Sequence, residues 1–264
     1  MTPFKHLPGL LSFSLLKPFE SELLHFVTTK QTPYGCGENF NIGFSGGIED
    51  EILQNRMMLA DSLGLKPENF VFQTQIHSNN HKIVTRKNAG NGFFSKETAV
   101  DGTDILITNE KNLCLVTRSA DCTPVLLYSP DSKSVAAIHS GREGTYLHAA
   151  AKAAKLMAEN FGADLSSMIA CIGPAIGFEC YEVGVECAEK FLSDQYFPQK
   201  TVIKKGGKYF LDLKTMIFES LVSSGLKREN IEVSDLCTKC SEKSFFSARR
   251  GDKQRFCAGI MIKG

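Results

Sequence analysis

The sequence predicts an α+β fold, an α/β layered sandwich in which mixed β-sheets are flanked by helices, within a single domain spanning residues 1–264. Three observations carry this. Many short apolar runs of strand length are separated by Gly-rich turns and do not alternate regularly with helices, which reads as mixed sheets covered by helices. A few segments repeat apolar residues at helical spacing and end at glycine. No Pro/Ser-rich linker and no fixed-period repeat divides the chain.

Taken in order, Leu10–Leu16 reads as a first strand. Lys5 and His6 ahead of it give a weak likeness to a signal peptide, but Lys17, Pro18 and Glu20 stand where a small-residue cleavage site belongs. His25–Thr29 is a strand, and Gly35, Gly37, Gly43, Gly46 and Gly47 make a loop-rich region around Asn41. A helix over about Asp50–Leu63 follows from Ile52, Leu53, Met57, Ala60 and Leu63, with Gly64 as its stop. Arg56 falls near its apolar stripe and reads by default as a snorkelling arginine. Phe70–His77 alternates as a strand with Gln73, Gln75 and His77 on one face, and His81–Thr85 returns. Asp104–Thr108, Leu113–Thr117, Val125–Tyr128 and Val135–Ile138 are further strands. The clearest helix spans about Thr145–Asn160, with His148 on its wet face and Gly162 closing it. Met168–Gly173 is a strand, Tyr181–Leu192 helical, 201–213 a hairpin around Gly206-Gly207, Lys214–Ser224 a helix, and Ile231–Val233 and Ala258–Ile262 strands.

Composition narrows the classes. Hydrophobic content of 42% with 22% charge suits a globular protein with a sizeable core. A net charge of +1 gives no electrostatic case for nucleic acid or an acidic membrane surface. Nine cysteines without a compact framework suit a reducing compartment, so the expected address is cytoplasmic. No apolar run approaches the ~18 residues of a spanning helix.

The chemistry gathers at strand ends. Cys122 lies between two strand runs, with Pro124 blocking a helix, and His139 ends a third. With His77 they make a Cys-His-His set, a soft thiolate and two imidazoles, which suits zinc. Three protein ligands leave a fourth position open, the mark of a catalytic site. Each residue also has a structural reading: cysteine is among the most buried types, and a strand-end histidine is often only hydrogen-bonded. Spacing leaves open whether His77 meets Cys122. His77 and His81 do not form a helical zinc-protease pair, because Ser78 replaces the required glutamate.

Three blocks resemble one family: Gln75-Ile76-His77, Ser119-Ala120-Asp121-Cys122-Thr123-Pro124-Val125, and Val135-Ala136-Ala137-Ile138-His139-Ser140-Gly141. It is the YfiH/YlmD type, the laccase-like or polyphenol oxidase domain described as purine nucleoside phosphorylase. Asn41-Ile42-Gly43, Asn55-Arg56, Val100-Asp101-Gly102, Ile172-Gly173-Pro174, Cys180-Tyr181-Glu182-Val183, Val233–Thr238 and Phe246–Arg250 also fit in order, so the resemblance covers most of the chain. It implies the CNF/YfiH-like fold, catalytic zinc (copper as the alternative ion) on His77, Cys122 and His139, and phosphorolysis of adenosine, inosine and methylthioadenosine with adenosine deaminase activity. Purine nucleosides and phosphate are the implied partners. Asn41 and Arg56, in matched blocks, become candidate substrate-binding residues. One departure stands out. Where the family carries Gly-Trp-Arg-Gly, this chain has Gly141-Arg142-Glu143-Gly144.

Phosphorolysis needs an anion pocket and a proton donor. Arg142 at the start of the expected helix, and Arg249 and Arg250, are the candidates for phosphate; a solvated basic face is the alternative for the last two. Glu143 and Glu182 are the candidate proton carriers. Two rival functions stay open: a cysteine hydrolase or amidase acting on cell-wall precursors, with Cys122 as nucleophile, and a non-enzymatic metal-binding partner module. Cys237-Thr238-Lys239-Cys240 suggests a structural metal only weakly, since Cys257 is the one further cysteine nearby in sequence.

Overall fold

The computed structural model of the protein describes residues 1–3, 7–34 and 39–264; Lys5, His6, Gly35 and Gly37 lie outside the described residues. Two six-stranded mixed sheets pack on each other. The first runs β1 (Thr2–Pro3), β2 (Leu10–Ser12), β3 (Leu23–Thr28), β15 (Phe256–Ile262), β7 (Cys114–Ser119) and β4 (Phe70–Val71). The second runs β14 (Ile231–Val233), β10 (Ile169–Ile172), β8 (Thr123–Ser129), β9 (Ser134–Ser140), β6 (Ile105–Thr108) and β5 (His81–Ile83). A small third sheet orders β11 (Glu182–Val183), β13 (Lys208–Leu211) and β12 (Val202–Lys205).

Strand faces are shared between neighbouring layers. Leu126 and Tyr128 of β8 join Leu115 of β7 and Ala258 of β15 between the two sheets. Val125 and Leu127 point the other way, onto helices α3 (Ala149–Phe161) and α5 (Leu213–Ser223) through Ala153, Met157, Ile217 and Leu221. Helix α1 (Glu49–Leu63) covers the outer face of the first sheet, Leu59 and Ala60 packing with Phe26, Phe70 and Val116. Burial on both faces explains why β7, β8 and β9 read as continuous apolar runs rather than alternating ones. Each fully buried aliphatic side chain contributes about 1.5–3 kcal/mol. Helix α4 (Val185–Leu192) packs on the third sheet around Phe191 and Leu211. Among the described residues no helix is long and apolar enough to cross a membrane.

Three local expectations need correction. The helix expected over 145–160 is two helices, α2 (Arg142–Tyr146) and α3, broken where His148 adopts a left-handed φ of 52°. Its imidazole Nδ1 lies 2.9 Å from Ser220 Oγ and its ring stacks on Phe197 at 4.8 Å, so His148 docks α3 against its neighbours and is not simply solvated. The strand expected over Phe70–His77 pairs with β7 only at Phe70 and Val71. Beyond that, Gln75 substitutes for the ladder: its Nε2 donates to Arg118 O (2.8 Å) and its Oε1 accepts from Arg118 N (2.9 Å). The start of the expected Tyr181 helix is extended instead, because Glu182 and Val183 pair with β13.

Candidate metal centre

Topology brings together three connections that are distant in sequence. Cys122 sits in the crossing from β7 in one sheet to β8 in the other. His139 is the penultimate residue of β9, and the antiparallel register pairs Thr123 with Ser140, setting Cys122 opposite Gly141. His77 leaves the loop after β4 with a φ of 62°. The ligating atoms of His77, Cys122 and His139 all lie within 4.8 Å of one another. The two imidazoles meet edge to face, with centroids 4.9 Å apart.

Gly141 makes the cluster sterically possible. A Cβ there would stand 2.7 Å from Cys122 Sγ and 3.2 Å from His77 Cδ2. The missing side chain leaves the room that a cation between these donors requires.

Asp104, unremarked in the sequence beyond opening a strand, organises the site. Its fully buried carboxylate accepts backbone N–H bonds from Ile76 (3.2 Å), His77 (3.1 Å) and Ser78 (2.7 Å), and the Ser78 hydroxyl at 2.7 Å. Its Oδ1 is also 2.8 Å from His139 Nδ1. A carboxylate behind a ligating imidazole fixes the tautomer and turns the other nitrogen to the metal. Burial alone would raise the Asp104 carboxyl, but the bonds from His139 and Ser78 hold it below its ordinary value. Burial pushes the His139 imidazole down, outweighing Asp104, so the ring is kept in the neutral form that ligates. Burial, with Asp121 adding to it, pushes the Cys122 thiol up to about 12.

Asp121 holds the Cys122 turn. At a φ of 88°, its carboxylate accepts from Thr238 Oγ1 (2.6 Å), Ser247 Oγ (3.0 Å) and Arg249 N (2.7 Å). The Ser119 hydroxyl closes the same turn on Cys122 O.

The remaining expected site residues divide. Arg142 is half-exposed, bonded to Glu143 at 3.2 Å, and within electrostatic reach of Cys122 and Tyr181. Asn41 is buried and its amide ties its own loop to the chain before β15: Oδ1 accepts from Gly43 N and Arg255 N, and Nδ2 donates to Ser45 O. It therefore orders the backbone at Arg255 rather than presenting an amide to substrate. Arg56 neither snorkels nor faces a pocket. Its buried guanidinium donates to Gly92, Phe93 and Gly43 carbonyls and lies over the Phe44 and Phe72 rings. Arg250 likewise departs from the phosphate role, because its guanidinium is taken up by Thr238, Lys239 and Phe245 carbonyls and Asp252. Of the two expected proton carriers, Glu143 is paired with Lys190 at 2.8 Å, which holds its carboxyl low, and Glu182 is paired with Lys208 at 2.8 Å. The phosphate cradle expected at a long helix start is instead the short α2. His81 is on β5 and is not one of the clustered ligands. A groove between α3 and α5, lined by His148, Lys152 and Ser220, contains none of the three ligands.

Comparison with known proteins places this geometry. Residues 24–263 match the family described as multi-copper polyphenol oxidoreductase laccase. A purine nucleoside phosphorylase of Bacteroides thetaiotaomicron is 33% identical over 251 residues, 92% of each chain. Adenosine deaminase RL5, from an unknown prokaryotic organism, is 31% identical over 85% of this chain and 87% of that one. The crystal structure of YfiH from Bacillus licheniformis superposes with a TM-score of 0.89 at 32% identity, covering 97% of both chains.

Proposed function

We propose a function from one premise: the chain belongs to the multi-copper polyphenol oxidoreductase laccase family, matched over residues 24–263. The proposed activity is zinc-dependent phosphorolysis of the purine nucleosides adenosine, inosine and methylthioadenosine, with deamination of adenosine at the same centre. Convergence of His77, Cys122 and His139 around the gap at Gly141 carries the reading. The relatives named purine nucleoside phosphorylase and adenosine deaminase support the substrate class. One thiolate and two imidazoles make a single borderline-soft site suited to zinc, with copper as the alternative ion. A multi-copper cluster requires more ligands than this set offers.

A zinc ion bound there supplies Lewis-acid polarisation and activates water near neutral pH. The protein supplies the rest. Asp104 holds His139 and the His77 backbone in one rigid frame. Tyr181, partly buried and kept protonated chiefly by that burial, with its value pushed up to about 12, is positioned to offer a hydrogen bond to the departing purine. Glu143, held ionised by Lys190, cannot give up a proton at neutral pH. Arg142, half-exposed beside the ligand cluster, takes phosphate.

One observation favours a second reading. Cys122, His139 and Asp104 line up as nucleophile, base and orienting carboxylate, the arrangement of a cysteine hydrolase. Against it, the His77 imidazole also converges on Cys122 and His139, a third donor that a metal uses and a Cys-His-Asp hydrolase does not need. The deciding experiment measures hypoxanthine and ribose 1-phosphate released from inosine as phosphate is varied, with and without chelator. Phosphate-independent base release rules out phosphorolysis. Chelator-resistant amidase activity blocked by thiol alkylation favours the hydrolase.

A further inference from the structure

A second set of ligating side chains lies outside this centre. Cys180 ends a short 3-10 turn over Phe178–Cys180, and Cys237 and Cys240 bracket Thr238 and Lys239. Their three sulfurs lie within 4.8 Å of one another, with Cys180 Sγ and Cys240 Sγ 3.3 Å apart. Cys257, the neighbour suggested by sequence, is not among them: it is buried on β15 against Thr28.

The backbone around the thiols has the form of a metal knuckle. Gly177 N donates to Cys237 Sγ at 3.1 Å. A backbone N–H bonded to a sulfur favours its thiolate, the form that binds metal. A Cβ at position 177 would stand 3.2 Å from Cys237 Cβ and 3.3 Å from that sulfur, so the two segments run in close contact here. The segments also pair along their length, through the Ala175–Cys237 bridge and Thr238 N to Ala175 O at 3.0 Å. A tetrahedral zinc with Zn–S bonds of ~2.3 Å sets its sulfurs about 3.8 Å apart. The three sulfurs, all within 4.8 Å of one another, are close enough to share one such ion.

We propose that Cys180, Cys237 and Cys240 form a second metal site, for one thiophilic d10 cation, Zn2+ or Cu+. Zinc completes its shell there with solvent; Cu+ is satisfied by three thiolates. The ion clasps two segments that both reach the first centre. Cys180 directly precedes Tyr181, and Thr238, between the two knuckle cysteines, holds the carboxylate of Asp121 next to Cys122. The site rests on its own residues and stands whether or not the first centre is a nucleoside phosphorylase.

The test uses the full chain, reduced, stripped of metal under anaerobic conditions and titrated with Co2+, whose sulfur-to-metal absorption grows with the number of thiolates bound. Wild type takes up two equivalents. Cys122→Ala keeps one, with the band of three thiolates. Cys240→Ser keeps one, with about a third of that intensity, one thiolate against three. Displacement of Co2+ from the Cys122→Ala protein by Zn2+ or by Cu+ in separate titrations identifies the preferred ion. Because Cys240→Ser could fail to fold, wild type is also alkylated with and without Co2+, and mass spectrometry should find Cys180, Cys237 and Cys240 protected together by metal. A wild type whose single equivalent is kept unchanged in Cys240→Ser, a Cys122→Ala protein that binds none, or three thiols alkylated equally with and without metal overturns the proposal. So does a Cys180–Cys240 disulfide that, once reduced, takes up no Co2+.

Discussion

Asp104 and His139 share a 2.8 Å contact between a carboxylate oxygen and imidazole Nδ1, and the same carboxylate binds the backbone of His77. A single acidic residue thus orients one candidate ligand and positions the loop carrying another. Asp104→Asn keeps the size but puts an amide N–H where the carboxylate accepted. We expect metal affinity and nucleoside turnover to fall together by ~10–100-fold, the usual range for a group behind a metal ligand. Metal titration followed by circular dichroism separates this from unfolding; unchanged affinity would remove Asp104 from the site.

Gly141→Ala tests the space between the donors. The backbone at 141, with φ −78°, accepts alanine without strain, so the added methyl acts through its contacts with Cys122 Sγ and His77 Cδ2. Metal affinity should drop by about tenfold or more while the melting temperature of the metal-free protein changes little. Gly144→Ala, whose methyl meets its neighbours at 3.3 Å, serves as the milder control.

Arg142 and Arg250 should behave oppositely. Arg142→Ala removes a half-exposed charge paired with Glu143, and should raise the KM for phosphate by about 10–100-fold, the worth of a charge-assisted hydrogen bond. Arg250→Ala strands three carbonyls and Asp252, and should lower stability by ~1–3 kcal/mol in urea denaturation with the KM for phosphate unmoved.

His25 predicts an acid limb in stability. Burial depresses its imidazole to about 4 from 6.5, and its Nε2 accepts Phe13 N at 3.0 Å. As pH falls from 6.5 to about 4 the unfolded chain binds a proton that the folded chain refuses. The contribution is therefore complete above 6.5 and lost by about 4, a loss of at most about 3 kcal/mol. Denaturation midpoints measured across this window should show a slope in wild type that His25→Gln flattens.

The strands and the three candidate ligands are legible because doubly buried strands read as apolar runs and their ends expose the residues that follow, as with Cys122 and His139. Asp104 is not, since an aspartate at a strand start looks like any turn residue until its five partners are placed. Arg56 and Arg250 read as surface or anion-binding charges because burial of a guanidinium among carbonyls leaves no periodic signal. Cys180 was missed as a companion of Cys237 and Cys240 because proximity across that sequence separation comes only from the Ala175–Cys237 pairing. The helix break at His148 follows from a left-handed residue that has no glycine to announce it.

Sheet order has a temporal consequence. β15, the last strand, lies between β3 and β7, and Phe256 pairs with Ser119, three residues before Cys122. A ribosome delivers β7 long before its partner: at ~5–20 residues per second the wait is on the order of ten seconds. During that interval the edge of β7 that will receive β15 is unpaired and apolar, open to chaperones or to wrong partners. The candidate metal pocket therefore closes only after β15 has been delivered and docked, so any ion loading there follows the pairing of β15 with β7.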